Sequence, residues 1–282
     1  MLSTTIESEV LRYDRRGIAQ LHSAVGVNFC TEAAKALLRT AGPVLIGTGF
    51  YIAHAGKPET DGPPGAVALA RALEKLGREV HFATDEVCSP MMGRVAEGRP
   101  LHVMPLGDAP SIRQLAKSII DAVKPGMLIA IERCGPDAAG RFLQVTGRDI
   151  TENTGRLDYL FQYGIPSIGI IDGGNEIGSG KVADIVQTLP GLPDRPCIVP
   201  TDRVVLGTVS NWGAYGLLAA LSLPAQRALL PSVQEEEELR RATVAAGAVE
   251  AFSGEAIPAV DGYPSELNGL VLERLHRVIA GG

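Results

Sequence analysis

Two carboxylates and a carboxamide stand together in the turn Asp172-Gly-Gly-Asn-Glu176, which directly follows a short apolar run. That run, Ile168 to Ile171, is mostly β-branched and short, which favours a buried strand over a helix. Glycine lets a backbone turn sharply and approach a ligand closely. In an open parallel sheet, ligands bind outside the carboxyl ends of the strands. The turn is therefore a candidate acidic site; the alternative is a glycine-rich connection with solvated acids.

Further acids follow apolar runs in the same manner. Glu132 and Asp85 each end a predicted strand. Because the carboxyl ends of parallel strands meet at one edge of a sheet, we expect Asp85, Glu132 and Asp172 to converge there. Asp61 lies ahead of a predicted helix, where it is either the N-cap or a member of the same site. Capping of helices is the alternative interpretation for the other acids as well.

Clustered oxygen ligands favour a hard divalent cation, Mg²⁺ or Mn²⁺, if the site binds a metal at all. The four cysteines and five histidines are scattered and form no metal-binding spacing, so neither a zinc knuckle nor a disulfide framework is indicated. The expected metal ligands are Asp61, Glu132, Asp172 and Glu176.

Two glycine-rich turns were compared with nucleotide-binding motifs. Gly47-Thr48-Gly49 follows the first predicted strand, but the third glycine of a dinucleotide fingerprint is absent. Gly178-Ser-Gly-Lys181 lacks the first glycine and the hydroxyl residue of a phosphate loop. No nucleotide cofactor is therefore indicated, although a glycine-rich helix N-terminus can still bind a carboxylate.

Short apolar runs alternate with helical periodicity along the chain, which is typical of β-α-β units. The pattern predicts an α/β fold: an open, mostly parallel β-sheet with helices on both faces, plus helical N- and C-terminal segments. Strands are predicted at 43–50, 79–85, 101–106, 127–132 and 168–171, with shorter candidates at 197–200 and 203–207. Residues 2–41 are predicted to be helical, with Asn28 or Thr31 as the cap of a helix that stops at Gly42. Further helices are predicted at 63–76, 91–97, 111–123, 182–189, 210–222, 232–251 and 265–280, and 149–161 is predicted as a loop that enters a helix.

Length and composition suit a single α/β domain over 1–282. Its N-terminal helical layer covers 1–42, and C-terminal helices over 225–282 pack on the same domain. The 26 basic and 32 acidic residues give a net charge of −6, which argues against nucleic acid as a partner. The sequence shows neither a signal-peptide layout nor an apolar run of roughly 20 residues, so we expect a cytoplasmic protein without a membrane partner. It leaves formation of a homo-oligomer open.

Four motifs in order resemble the D-glutamate cyclase C-terminal-like family, from about Gly17 to Gly262. They are Thr60-Asp-Gly-Pro-Pro-Gly65, Glu132-Arg-Cys-Gly-Pro136, Asp172-Gly-Gly-Asn-Glu-Ile-Gly178 and Val209-Ser-Asn-Trp-Gly213. The resemblance implies a hydro-lyase that converts D-glutamate to 5-oxo-D-proline with loss of water. It also implies larger eukaryotic relatives that are mitochondrial and carry another domain.

Lactam formation requires a base for the ammonium group, stabilisation of the tetrahedral oxyanion and a cationic group for the α-carboxylate. We expect Glu132 or Asp172 to act as base or metal ligand. Arg133, or the amides of Gly173 and Gly174, would bind the α-carboxylate. The expected catalytic residues are Glu132, Asp172, Asn175, as oxyanion donor, and Glu176. The expected substrate contacts are Gly47, Thr48, Gly49, Thr60, Arg133, Gly173, Gly174 and Asn211.

Two other functions fit the same acidic residues. One is a metal-dependent enzyme that acts on a different small carboxylate or phosphate compound. The other is a small-molecule-binding module in which the same pocket lacks turnover. In all three cases, the partner is a small molecule.

Overall fold

A six-stranded parallel sheet forms the centre of the computed structural model, which describes residues 5–281. Its strands are β1 (Val44–Thr48), β4 (Val80–Asp85), β5 (Leu101–Met104), β6 (Met127–Ile131), β7 (Ser167–Ile171) and β8 (Arg203–Leu206). Between β1 and β4 lies a small antiparallel hairpin of β2 (Tyr51–Ile52) and β3 (Lys57–Pro58). The sheet order is β5-β4-β1-β6-β7-β8, and each neighbouring pair is parallel. The predicted α/β fold is confirmed.

Helices surround this sheet. They are α1 (Ile6–Val10), α2 (His22–Val25), α3 (Phe29–Arg39), α4 (Pro63–Lys75), α5 (Ser89–Val95), α6 (Pro110–Val123), α7 (Ala183–Val186), α8 (Ser210–Ala225), α9 (Val233–Ala245) and α10 (Ser265–Ala280). Helix α8 is buried along most of its length and contacts α3, α4 and α10. It therefore forms the centre of the helical layer on that face.

Side chains of the central strands alternate between two hydrophobic cores, as the pleat of a strand requires. Val44 and Ile46 of β1 join the larger core, which contains α3, α4, α8 and α10. Leu45 faces the opposite side and joins the smaller core, which contains α6. Both faces of the sheet are thus covered by helical segments, which explains why the strands β1, β6 and β7 are buried along their whole length.

Several predicted elements differ from the observed ones. The predicted helix at 2–41 is divided by glycines with positive φ, Gly17 (94°) and Gly26 (103°), and its residues 2–4 lie outside the described part of the chain. The segment 149–161 forms two 3₁₀ turns, and the helix at 182–189 is reduced to α7. The candidate strand at 197–200 makes isolated bridges through Pro200 instead of joining the sheet. The assignment of 1–282 to one domain stays a prediction.

The sheet order brings two of the predicted site segments together. Strands β6 and β7 are neighbours, with Ile131 aligned to Ile170. Glu132 and Asp172 each follow one of these strands directly, so both lie at the same carboxyl edge. Strand β1 pairs with the other side of β6. This places the hairpin and the segment before α4 beside the same two acids.

Candidate acidic site

Four acids line a cavity of about 300 Å³ at the carboxyl edge of the sheet. Glu132 and Asp172 come from the ends of β6 and β7, Glu59 follows β3, and Asp261 precedes α10. All four are buried. We call this group of four side chains the acidic floor. The cavity is further lined by Arg16, Phe50, Ile52, His54, Gln144, Val145, Thr146, Arg148, Asn175, Ala251 and Phe252.

The backbone places two acids of the floor in a left-handed conformation that non-glycine residues seldom adopt. Glu132 has φ of 43° and Asp261 has φ of 52°. The turn at Asp261 is fixed by Glu250, whose carboxylate accepts hydrogen bonds from the backbone of Phe252, Ser253 and Gly262. Such strained positions are found mainly at functional sites, where the surrounding structure holds them in place.

Arg16 is the cation that contacts the acidic floor. Its guanidinium donates to Asp172 at 2.6 Å and to Asp261 at 2.5 Å. Asp14 holds this segment, because its carboxylate accepts from the backbone N–H groups of Arg16, Gly17 and Ala19 at 2.9 Å each. Burial opposes the charge of Arg16, but Asp172 and Asp261 raise its pKa well above the ordinary value. Arg16 therefore stays charged and neutralises one of the acids.

Burial, together with the negative charge of neighbouring acids, raises the pKa of Glu59, Glu132 and Asp172. Burial is the main cause at Glu132, whose pKa is raised well above its ordinary value, with further contributions from Glu176 and Glu59. Burial likewise raises the pKa of Glu59, and that of Asp172 despite the opposing charge of Arg16. Carboxyl groups of this kind keep a proton to higher pH than a solvated carboxyl group does, which is a property that suits a general acid or base.

Two oxygens of the floor are free to bind a ligand. Oε2 of Glu132 and Oδ2 of Asp172 are buried and have no hydrogen-bond partner within residues 5–281. Oxygens of Glu132, Asp172 and Glu176 lie within 4.8 Å of one another, and so do oxygens of Asp61, Asp172 and Asp261. Unpartnered buried carboxylate oxygens are costly unless a cation or a donor meets them. A hard divalent cation or a substrate ammonium group fits this arrangement.

The sequence comparisons agree with the motifs found in the chain. A family model described as "D-glutamate cyclase-like, C-terminal" matches residues 2–276. The chain belongs to this family. The human protein "D-glutamate cyclase, mitochondrial" is 33% identical over 228 residues, which cover 73% of this chain and 37% of the human protein. The chain thus spans little more than a third of that relative's length.

Glu176 of this cyclase-like chain shapes the turn that carries the floor. Its carboxylate accepts from the backbone amides of Gly173 and Gly174 at 2.7 Å each and from the Ser179 hydroxyl at 3.3 Å. Those two amides, predicted to bind a substrate carboxylate, already donate to Glu176. Asn175 lines the cavity, and its side-chain N–H group donates to the carbonyl of Leu143 at 2.9 Å.

Asp61 lies beneath the floor and joins α4 to α8. Its carboxylate accepts from the backbone of Ser210 and Asn211 at 2.8 Å each and from Gly62 at 2.9 Å. It thus caps the N-terminus of α8. The side chain of Asn211 in turn accepts from Gly62 and Gly65 and donates to Thr60. Asp61 and Asn211 therefore fix the two helix N-termini beside the site.

Arg133 points away from the acidic floor. Its guanidinium is 1% exposed, pairs with Asp85 at 2.7 Å and donates to the carbonyls of Gly49 and Gly155. Asp85 therefore does not converge with Glu132 and Asp172 as predicted. The predicted contact residues that do not line the cavity are Gly47, Thr48, Gly49, Thr60, Arg133, Gly173, Gly174 and Asn211.

Sequence reasoning missed three residues that contact or form the floor, namely Arg16, Glu59 and Asp261. Glu59 directly precedes the first family motif, and Asp261-Gly262 has the composition of a tight turn. Arg16 precedes Gly17, whose positive φ turns the chain back toward the sheet. The position of Glu59 next to that motif could have identified it as a site residue. Arg16 carries no local pattern that distinguishes it from a surface arginine.

The raised pKa values of the cyclase-like chain predict how its stability depends on pH. Burial, followed by the charge of Asp261, raises the pKa of Asp61 from 3.8 to about 7. Between these pH values the native chain keeps a proton that the unfolded chain releases, so folding favours the protonated form. The contribution of Asp61 to the free energy of unfolding should therefore fall as pH rises from about 4 to about 7, and level off above that. Urea denaturation in a chelator-containing buffer at about pH 5 and pH 8 measures this decrease, which should be smaller in Asp61→Asn; an equal decrease would contradict the assignment.

The chain has no membrane-spanning helix within the described range 5–281. Its location in the cytoplasm stays a prediction, and the human relative carries "mitochondrial" in its name.

Proposed function

We propose that this chain is a hydro-lyase that closes D-glutamate to 5-oxo-D-proline at the acidic floor. The observation that carries this proposal is the pair of unpartnered, buried oxygens on Glu132 and Asp172, two residues that line the same cavity. Membership of the D-glutamate cyclase-like family supports the same reaction class. A cavity of about 300 Å³ also suits a ligand of amino-acid size.

The proton balance of the reaction explains why a cluster of carboxyl groups is suitable. The substrate ammonium group carries three protons, and the lactam nitrogen of the product keeps one. The other two leave with one oxygen of the γ-carboxylate as water, so no net proton is taken up or released. The site must therefore accept protons from nitrogen and return them to the departing oxygen. Coupled carboxyl groups with raised pKa values can do both.

Glu132 is the base in this proposal. Its free Oε2 can accept a proton from the substrate ammonium group, which turns the nitrogen into a nucleophile. Glu59 also lines the cavity, and burial raises its pKa well above the ordinary value, so it is suited to protonate the departing oxygen. Asp172 is held by Arg16 on one oxygen, and its other oxygen orients the ammonium group. The second N–H of the Asn175 side chain would donate a hydrogen bond to the oxyanion of the tetrahedral intermediate.

The donor set also fits a divalent cation, Mg²⁺ or Mn²⁺, as part of the proposal. Glu132 and Asp172 would hold it through their carboxylates, which with that of Glu176 form a group of oxygens within 4.8 Å of one another. Asp61 and Asp261 form a second such group with Asp172. When bound, such an ion polarises a carboxylate and stabilises the developing oxyanion. Arg16 neutralises only part of the floor, so a cation would relieve the remaining repulsion.

A binding module without turnover is the second candidate. The chain matches only 37% of the human relative, so the activity in that relative's name rests on a longer protein. The same cavity would then recognise an amino acid without closing it.

Incubation with each enantiomer of glutamate separates these functions. After chelator treatment and dialysis, the purified chain is mixed with D- or L-glutamate, with and without Mn²⁺, and 5-oxoproline is followed by NMR. We expect 5-oxoproline from D-glutamate and faster formation with Mn²⁺. Calorimetric binding of D-glutamate without any product would favour the binding module, and absence of both would contradict the proposal.

A further inference from the structure

The α-carboxylate of the proposed substrate lacks an obvious cation among the predicted residues. Arg133 is buried against Asp85, and the amides of Gly173 and Gly174 donate to Glu176. Arg16 lines the cavity, but its guanidinium already pairs with two carboxylates. A further positive group is therefore needed to bind a substrate carboxylate beside an acidic floor.

Arg148 is suitably placed for this role. It lines the cavity from an exposed turn, where the Gln144 amide donates to the Arg148 carbonyl at 2.9 Å and the Gly147 amide to the Gln144 carbonyl at 2.8 Å. Throughout residues 5–281, no ion pair or hydrogen bond uses its guanidinium. His54 lies on the same lining, but an imidazole is charged only when protonated, whereas a guanidinium stays charged.

The opposite charges of floor and mouth would orient a zwitterionic substrate. The ammonium group is attracted to the free oxygens of Glu132 and Asp172, deep in the cavity. The exposed Arg148 attracts a carboxylate toward the opening. In lactam formation, the nitrogen and the γ-carboxyl carbon become members of the new ring, whereas the α-carboxylate remains a substituent outside it. The α-carboxylate can therefore face the mouth without disturbing ring closure.

We propose that Arg148 binds the α-carboxylate of the substrate and selects α-amino acids that carry this charge. This inference rests on the proposed function for the identity of the substrate. Arg148 touches no reacting atom in this arrangement, so it contributes to substrate affinity and leaves the chemical step unchanged.

The test compares Arg148→Met with Arg141→Met. Arg141 lies on the same loop, pairs with Asp137 at 3.1 Å and does not line the cavity, so it serves as the matched control. For D-glutamate we expect Arg148→Met to raise KM by about 10- to 100-fold, the range for a lost charged hydrogen bond, with kcat within about threefold. For D-isoglutamine, which has a neutral α-carboxamide, KM should be the same in wild type and variant. An unchanged KM for D-glutamate, or an equal loss for both substrates, would overturn the inference.

Calorimetric binding of D-glutamate and 5-oxo-D-proline distinguishes failure of this inference from failure of the proposed function. If the wild-type chain binds these acids without turnover, the proposed reaction is wrong. The role of Arg148 is then tested by affinity alone. A dissociation constant that rises by about 10-fold or more in Arg148→Met and is unchanged in Arg141→Met supports the inference. Equal affinity in both variants overturns it, as does absence of binding by the wild type.

Discussion

Replacing Glu132 by glutamine should lower the rate of 5-oxoproline formation by about 10²- to 10⁴-fold, the usual contribution of a positioned general base. Glutamine keeps the size and shape of the side chain but cannot accept the proton at the position of Oε2, which has no other partner within residues 5–281. Binding of 5-oxo-D-proline should persist, because Arg148, the proposed contact of its carboxylate, is unaltered. The measurement is a rate by NMR together with a binding constant by calorimetry.

The same variant should be at least as stable as the wild type at about pH 8. Burial and the neighbouring Glu176 raise the pKa of Glu132, so its ionised form destabilises the native state there. Glu152→Gln, at an exposed position outside the cavity, is the control and should change neither rate nor stability. A Glu132→Gln chain that is folded and keeps more than about a tenth of the wild-type rate would show that another group is the base.

Gly62→Ala should disrupt both the fold and the site. Gly62 has φ of 93° and ψ of −63°, and an added Cβ would lie 2.7 Å from Oγ1 of Thr48 and 2.9 Å from Cβ of Glu132. The strained backbone and the contacts together should cost about 3 kcal/mol or more in the free energy of unfolding. Displacement of Glu132 should lower turnover by at least about tenfold, because rates are sensitive to misplacement by an ångström.

Gly77→Ala is the matched control for Gly62→Ala. Gly77 also has positive φ, 78°, but an added Cβ would meet no atom within 4 Å. It should therefore cost only about 1–2 kcal/mol from the backbone conformation and leave turnover unchanged. Urea denaturation and the NMR assay measure both effects. If the two variants lost stability and activity equally, the proposed clash between a Cβ at position 62 and Glu132 would be contradicted.

The sheet could be predicted because its signals are local. The central strands are short apolar runs, and the run before Asp172 proved to be β7, with Glu132 following its neighbour β6. The strand order could not be predicted, because the pairing of β1 with both β4 and β6 depends on contacts between segments distant in sequence. Helix boundaries failed mainly at glycines such as Gly17 and Gly26, whose positive φ values are not evident from periodicity.

Parts of the candidate site were recognisable for the same reason. Glu132 and Asp172 end adjacent strands, whereas Arg133 is one residue further along and points to the other side, where it meets Asp85. Strand β6 ends at Ile131 and Glu132 has φ of 43°, so the alternation of an extended strand does not continue here and the direction of Arg133 could not be predicted from it. Asp61 showed a pattern that suits both a cap and a site, and the structure gives it the hydrogen bonds of a cap for α8.

Arg16 and Asp261 show what sequence patterns omit. They come from segments 245 residues apart, and in the folded chain Arg16 pairs directly with Asp261 as well as with Asp172. Neither residue lies at the end of a strand, so the rule that identified Glu132 and Asp172 does not apply to them. The charge balance of the floor is therefore a property of tertiary structure.

The fate of the γ-carboxyl oxygens tests the central claim most directly. D-glutamate labelled with ¹⁸O at both γ-carboxyl oxygens is incubated with the wild-type chain and Mn²⁺, and the product is examined by mass spectrometry. Our account predicts 5-oxo-D-proline that keeps one label, with the second label released as water, at a rate far above that of Glu132→Gln. Unchanged, doubly labelled glutamate after incubation with the folded wild-type chain would contradict it.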